Sequence, residues 1–83
     1  MFLEVISPTK KLFENEVTAV QLPGKEGSFE LLQHHAPLIA TLQSGKIRIK
    51  IDQQEDIFLP ISGGVVEVKN NKIIVLVSSE DIN

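Results

Sequence analysis

Residues 46–51 read Lys46-Ile47-Arg48-Ile49-Lys50-Ile51, three isoleucines alternating with three cations. That period of two belongs to a strand with one buried and one wet face. Shorter runs of the same kind recur along the chain. Residues 2–7 are apolar and β-branched until Pro8 stops them. Residues 17–22 form a second run whose apolar positions change phase between Ala19 and Val20, as at a bulge or where both faces are buried. Residues 28–31, 39–42, 57–61, 65–69 and 72–77 complete the set, and residues 10–14 read as a short charged connection or a brief strand. In the last run Ile73, Ile74, Val75, Leu76 and Val77 are all apolar, which predicts cover on both faces.

The segments between these runs carry turn chemistry. Pro23-Gly24-Lys25-Glu26-Gly27 combines a preset φ with residues that accept positive φ. Ser44-Gly45, residues 52–56 and Ser62-Gly63-Gly64 are further turns, the last of them read as a hairpin. Asn70-Asn71 suits the two-residue type I′ turn, which needs positive φ at both positions. Pro60 places residues 57–61 at a sheet edge or a bulge. Pro37 keeps Ala36 out of the helical region, so Gln33-His34-His35-Ala36-Pro37 is a turn before a strand. Eight or more short strands and no sustained helical period predict an all-β sandwich or barrel.

Composition narrows the classes. The 83 residues make one domain, 42% hydrophobic, with no cysteine for a disulfide or a thiolate metal site. A net charge of −3 and the absence of Trp and Tyr argue against nucleic acid, which calls for a basic face and stacking platforms. No apolar run approaches the ~20 residues of a membrane span, so no insertion is expected. Nothing at the N-terminus resembles a leader or transit peptide.

Candidate chemistry is sparse. His34 and His35 are adjacent, so in extended backbone they face opposite sides and cannot share one metal. No serine sits in a Gly-x-Ser-x-Gly elbow, and the 23–27 turn lacks the spacing of a phosphate-binding loop. No catalytic, metal or cofactor-binding residue is therefore expected. The stripe of Lys46, Arg48 and Lys50 reads as a solvated face paired with neighbouring acids rather than a docking surface. Lys72 beside the Asn70-Asn71 tip leaves a carrier domain modified on that lysine as an alternative, and a stand-alone β-sandwich interaction module as another.

Five strings in order carry a resemblance. They are Phe2-Leu3-Glu4-Val5-Ile6-Ser7-Pro8, Leu22-Pro23-Gly24-Lys25-Glu26-Gly27-Ser28-Phe29, His35-Ala36-Pro37-Leu38, Gly45-Lys46-Ile47-Arg48-Ile49 and Ser62-Gly63-Gly64-Val65-Val66-Glu67-Val68. Over essentially its whole length the chain resembles the N-terminal domain of the epsilon subunit of F-type rotary ATP synthases. The resemblance implies an antiparallel β-sandwich of about ten short strands and a non-catalytic central-stalk (rotor) subunit. It implies docking on the gamma subunit and on the c ring, and indirect coupling to the alpha-beta hexamer. Lys25, Glu26, Gly27, Ser28, Phe29 and Glu30 match the loop that approaches the c ring. Ser7, His35, Ala36, Pro37 and Leu38 match the gamma contact. The implied location is peripheral, on the cytoplasmic face of a bacterial plasma membrane, with a plastid thylakoid as the lesser alternative.

The chain departs from the family in three places. Many members carry an acidic residue where Ser28 stands and glycine where Glu30 stands; both positions share one face of an extended segment, so Glu30 is expected to replace the missing acid. The residue before His35 is often Gly or Asn, and His34 there argues against positive φ. Longer members continue into an inhibitory helical hairpin with an ATP site, and both are expected to be absent from this chain.

Overall fold

The computed structural model describes residues 1–78. Nine strands follow in order: β1 (Phe2–Ile6), β2 (Lys11–Glu16), β3 (Ala19–Gly24), β4 (Gly27–Leu31), β5 (Leu38–Leu42), β6 (Gly45–Lys50), β7 (Ile57–Ile61), β8 (Gly64–Lys69) and β9 (Lys72–Val77). They form one curled sheet in the order β2-β1-β9-β8-β5-β3-β6-β7, with β4 on the other edge of β3. Of residues 10–14, which read as a charged connection or a brief strand, 11–14 belong to β2, a full strand of six residues.

The sheet folds over where β3 meets β5, through the single pair Gly24↔Leu42. On one side lie β2-β1-β9-β8-β5, on the other β4-β3-β6-β7. Alternation turns Leu3, Val5, Val66, Val68, Ile73 and Val75 from the first half, and Val20, Leu22, Leu31, Ile47, Ile49 and Ile61 from the second, into one buried cluster. Each of these side chains is almost fully withdrawn from water, worth about 1.5–3 kcal/mol apiece.

Three expectations are corrected. The strands are antiparallel except that β1 and β9 run parallel, Phe2↔Lys72 to Ile6↔Leu76. No turn joins these two strands, so nothing local sets their relative direction. Ser62-Gly63 does not close a hairpin: β7 pairs with β6, whereas β8 pairs with β5 and β9, so the turn carries the chain from one half of the sheet to the other. Finally, β9 is not covered on both faces. Ile73, Val75 and Val77 point inward, but Leu76 is 52% exposed and Ile74 only half-buried.

The crossover depends on Gly64, which sits at φ +154° with the Leu76 carbonyl and the Val77 Cα (2.9 Å) where a Cβ would project. Both obstacles are backbone, so neither can swing aside. Gly64→Ala should destabilise the domain by roughly 2–4 kcal/mol, from backbone strain and overpacking together, measured as a lower urea midpoint at unchanged slope.

Candidate docking surfaces

The β3–β4 hairpin places the residues matched to the c-ring loop. Pro23 and Gly24 belong to β3, and the turn itself is only Lys25 and Glu26, both exposed, with Gly24 paired to Gly27. Gly27 holds φ +127° at the turn exit, a conformation that L side chains rarely adopt. The tip is braced from β5: Lys25 N–H donates to the Thr41 carbonyl (2.9 Å), Gln43 N–H to Pro23 (2.8 Å) and Gln43 Nε2 to Gly24 (3.1 Å). Along β4, Ser28 and Glu30 face outward and Phe29 packs against the core. The Ser28 hydroxyl accepts from Gln21 Nε2 at 3.1 Å. The acidic side chains that this hairpin offers to a partner are Glu26 at the tip and Glu30 on the outer face.

The residues matched to the gamma contact are not brought together. His34 to Pro37 is an exposed turn leading into β5. His35 Nδ1 donates to the Ala36 carbonyl at 2.7 Å, which fixes the ring against its own backbone. Leu38 is half-buried and packs on the core. Ser7 lies at the far end of the same half-sheet, four residues along β1 from Leu3, whose row runs through Ile73 and Val68 to Leu38. At ~3.3 Å per residue that is about 13 Å. Ser7 is buried, and its hydroxyl closes the β1–β2 turn, donating to the Lys10 carbonyl (2.9 Å) and accepting from Lys10 N–H (3.2 Å).

The turn before β5 also reverses one sequence expectation. His34 adopts φ +62°, a conformation uncommon outside glycine though one that His tolerates better than most side chains. Neighbouring side chains hold it there. The His34 N–H donates to Asn71 Oδ1 (2.8 Å), Asn71 Nδ2 reaches Gln33 Oε1 (3.4 Å), and Gln33 Nε2 donates to the Val17 carbonyl (3.0 Å). The Met1 ammonium donates to Gln33 Oε1 (2.8 Å) and to Glu16 Oε1 (3.2 Å). The premise of extended backbone through the two histidines therefore fails. Among the described residues no group of three or more His, Cys, Asp or Glu is placed to hold a metal.

What the sequence reading missed is the outer face of β2-β1-β9-β8-β5. Ladder register sets it in three rows. The first is Glu16, Phe2, Lys72, Lys69; the second Glu14, Glu4, Ile74, Glu67, Ile39; the third Lys11, Ile6, Leu76, Val65, Thr41. Ile39 is 74% exposed, Leu76 52% and Val65 41%, with Ile6 and Ile74 half-buried between them. Neighbouring apolar side chains left to solvent on one sheet face make it a candidate interaction surface. The sequence signal for it is the uniformly apolar β9, whose cover on both faces the pattern predicts without saying what supplies the outer one. Beside the patch, Lys11 bridges Glu4 (2.9 Å) and Glu14 (3.0 Å), and these carboxylates, Glu4 foremost, raise its pKa. That contribution is fully present below the unfolded lysine value and is lost as pH rises through the folded one; at so exposed a site, solvent screens it strongly.

The other outer face carries the basic stripe, of which only Arg48 is engaged among the described residues. Arg48 Nε lies 2.6 Å from Asp56 Oδ2, and its guanidinium sits 5.8 Å from the Phe58 ring centroid. Lys46 and Lys50 form no ion pair among the described residues, so the expected pairing with acids holds for Arg48 alone. Lys72 is the first residue of β9, paired with Lys69, with its ammonium 5.9 Å from the Phe2 centroid; it flanks the Asn70-Asn71 turn rather than occupying it.

In class the chain is a β-sandwich that leaves an apolar sheet face and a braced hairpin tip to solvent. The comparisons name its family. Residues 1–80 match the ATP synthase, Delta/Epsilon chain, beta-sandwich domain. An ATP synthase epsilon chain of Chlorobium limicola is 45% identical over 82 residues, covering 98% of this chain and 90% of that one. That of Chlorobaculum tepidum is 45% identical over 89% of this chain and 84% of its own length. For the epsilon chain of Dehalococcoides mccartyi the identity is 38%, and the match spans 56% of that protein. The chain belongs to the ATP synthase epsilon chain family. Its fold recurs in a chain of the Tetrahymena thermophila mitochondrial ATP synthase central stalk and c-ring structure (TM-score 0.77, 16% identity, 94% of this chain and 63% of that chain). It recurs again in the Euglena gracilis mitochondrial ATP synthase (TM-score 0.86, 20% identity, 98% and 54%).

The network around Asn71 makes a separable prediction. Asn70 and Asn71 both hold positive φ, 54° and 59°, so glycine at either satisfies the backbone. Asn70→Gly should leave stability nearly unchanged. Asn71→Gly should cost about 1 kcal/mol more, the net value of the lost bond to His34. Faster amide exchange at His34 in Asn71→Gly alone would locate the loss; equal behaviour of the two variants would show that the bond contributes nothing.

Proposed function

We propose that this chain is a non-catalytic rotor subunit of an F-type ATP synthase that docks by its outer β2-β1-β9-β8-β5 face on the gamma subunit and by the β3–β4 hairpin on the c ring. Family membership supports the assembly, and the observation that carries the docking is the exposed patch of Ile39, Val65 and Leu76. That patch begins two residues after Pro37, continuous with the turn matched to the gamma contact. Torque would pass from the ring through the domain and gamma toward the alpha-beta hexamer. The domain would work as a peripheral subunit at the cytoplasmic face of a bacterial membrane. No helix of the described residues is long and apolar enough to cross a bilayer.

Binding to a gamma-containing complex stripped of this subunit tests the first contact. Leu76→Asp should weaken it at least about tenfold, since a charge at the centre of an apolar interface loses more than 1.4 kcal/mol. The free domain should stay folded, because Leu76 already meets water. Wild-type affinity in that variant would rule out this face.

For the ring, Glu30 is the outward acid two residues from Ser28, the family's usual acidic position. Glu30→Lys should lower retention of the subunit on purified c rings, most at low salt. Glu26→Gln, at the tip, distinguishes the two acids: if it alone releases the ring, the contact belongs to the turn and not to Glu30.

A further inference from the structure

On the outer face, charges divide into those that this chain neutralises itself and those that it leaves open. Glu4 and Glu14 share Lys11, and Glu16 meets the Met1 ammonium at 3.2 Å. Glu67, Lys69 and Lys72 form no ion pair among the described residues, and all three line one cleft of about 300 Å³ with Asn70 and Ile74. Lys69 and Lys72 are direct cross-strand partners beside the Asn70-Asn71 turn. Like charges set opposite each other on a ladder repel; the Lys72 ammonium lies on the β1 side of β9, 5.9 Å from the Phe2 ring centroid.

Two lysines paired across the ladder, lining one cleft with Ile74, suit one carboxylate, which would interact with both. Ile74 is also part of the apolar patch, so the cleft lies within the same surface and is dehydrated when that surface is covered. Exclusion of water strengthens the contact well beyond its value on a free surface. Glu67, one row further in, would repel a second acid and favour a cation beside the apolar contact. The cleft thus asks for an acidic side chain next to an apolar ridge.

We propose that the Lys69–Lys72 cleft receives a carboxylate side chain of the gamma subunit. This rests on the reading of the outer face as the gamma contact, and names the partner chemistry at its hairpin end. The lysine pair then serves the complex at the expense of the free domain, which gives the two measurements opposite signs.

The test uses the full chain and the stripped gamma-containing complex, with wild type, Lys69→Gln/Lys72→Gln, Lys69→Arg/Lys72→Arg and Leu76→Asp. The double Gln variant should bind at least about five-fold more weakly at low salt, with a flatter salt dependence. The double Arg variant should bind nearly as wild type does. The free double Gln domain should melt higher, by roughly 1–5 °C, because the cross-strand repulsion is gone. If double Gln binds like wild type while Leu76→Asp fails, the cleft proposal is overturned and the face reading stands. If double Arg weakens binding as much as double Gln, shape and not charge is read there, which also overturns it. Wild-type binding by Leu76→Asp removes the face reading, and this inference with it.

Discussion

The register of the β8–β9 hairpin is the constraint on which the rest of the structure depends. Asn70 and Asn71 turn the chain with positive φ at both positions, so Lys69 must face Lys72. β8 then sets β5, and β9 sets β1, which in turn sets β2. A slip of one residue at this turn would bring Leu76 and Ile74 inward and expel Ile73, Val75 and Val77 from the core. Asn71 adds a tie outside the ladder, because its backbone carbonyl accepts from Phe2 N–H (3.2 Å) and its side chain accepts from His34 N–H (2.8 Å). One residue therefore joins the N-terminal strand, the turn before β5 and the hairpin.

That arrangement explains why the sandwich is lopsided. The half-sheet organised by the hairpin carries apolar side chains on both faces at β9, whereas the opposite half shows water Lys46, Arg48 and Lys50 beside a single exposed ring, Phe58 at 56%. An isolated domain gains nothing from Ile39 at 74% exposure or from two lysines facing each other. Both features lower the solubility or stability of the free chain, and both become favourable once an apolar, acid-bearing surface covers them. Marginal local choices gathered on one face are the physical mark of a domain selected as part of an assembly.

Most of the strands were legible in the sequence because period-two patterning and turn chemistry are local. The Lys46–Ile51 alternation, the edge position of Pro60 and the asparagine turn all came through. What was not legible depends on which strands are neighbours. The Ser62-Gly63 crossover looks like a hairpin turn because both use glycine at positive φ; only the pairing of β8 with β5 separates them. Uniform apolarity in β9 predicts cover on both faces, but the curl of the sheet leaves its outer side bare. His34 was misjudged for the same reason. Its conformation is imposed by Asn71, 37 residues away in sequence, against its own preference.

The candidate contacts themselves were legible only as strings, and the fold redistributes them. Ser7 turns out to close its own turn, Leu38 to pack inward, and Ile39 to carry the outward surface between them. β5 gives this redistribution its mechanical sense. Its first residue follows the His34–Pro37 turn, latched to the β8–β9 hairpin, and its last pairs with Gly24 beneath the β3–β4 tip. At the lower end, Thr41 and Gln43 hold that tip by backbone and side-chain bonds. Between the two proposed contacts there is thus a continuous hydrogen-bonded strand, tied at both ends and paired with β8 along its whole length. A subunit that only had to be present could tolerate a loop at this place. On the proposed reading, in which the subunit passes rotation from the ring to gamma, a loop here would take up the twist as local motion before the load arrived.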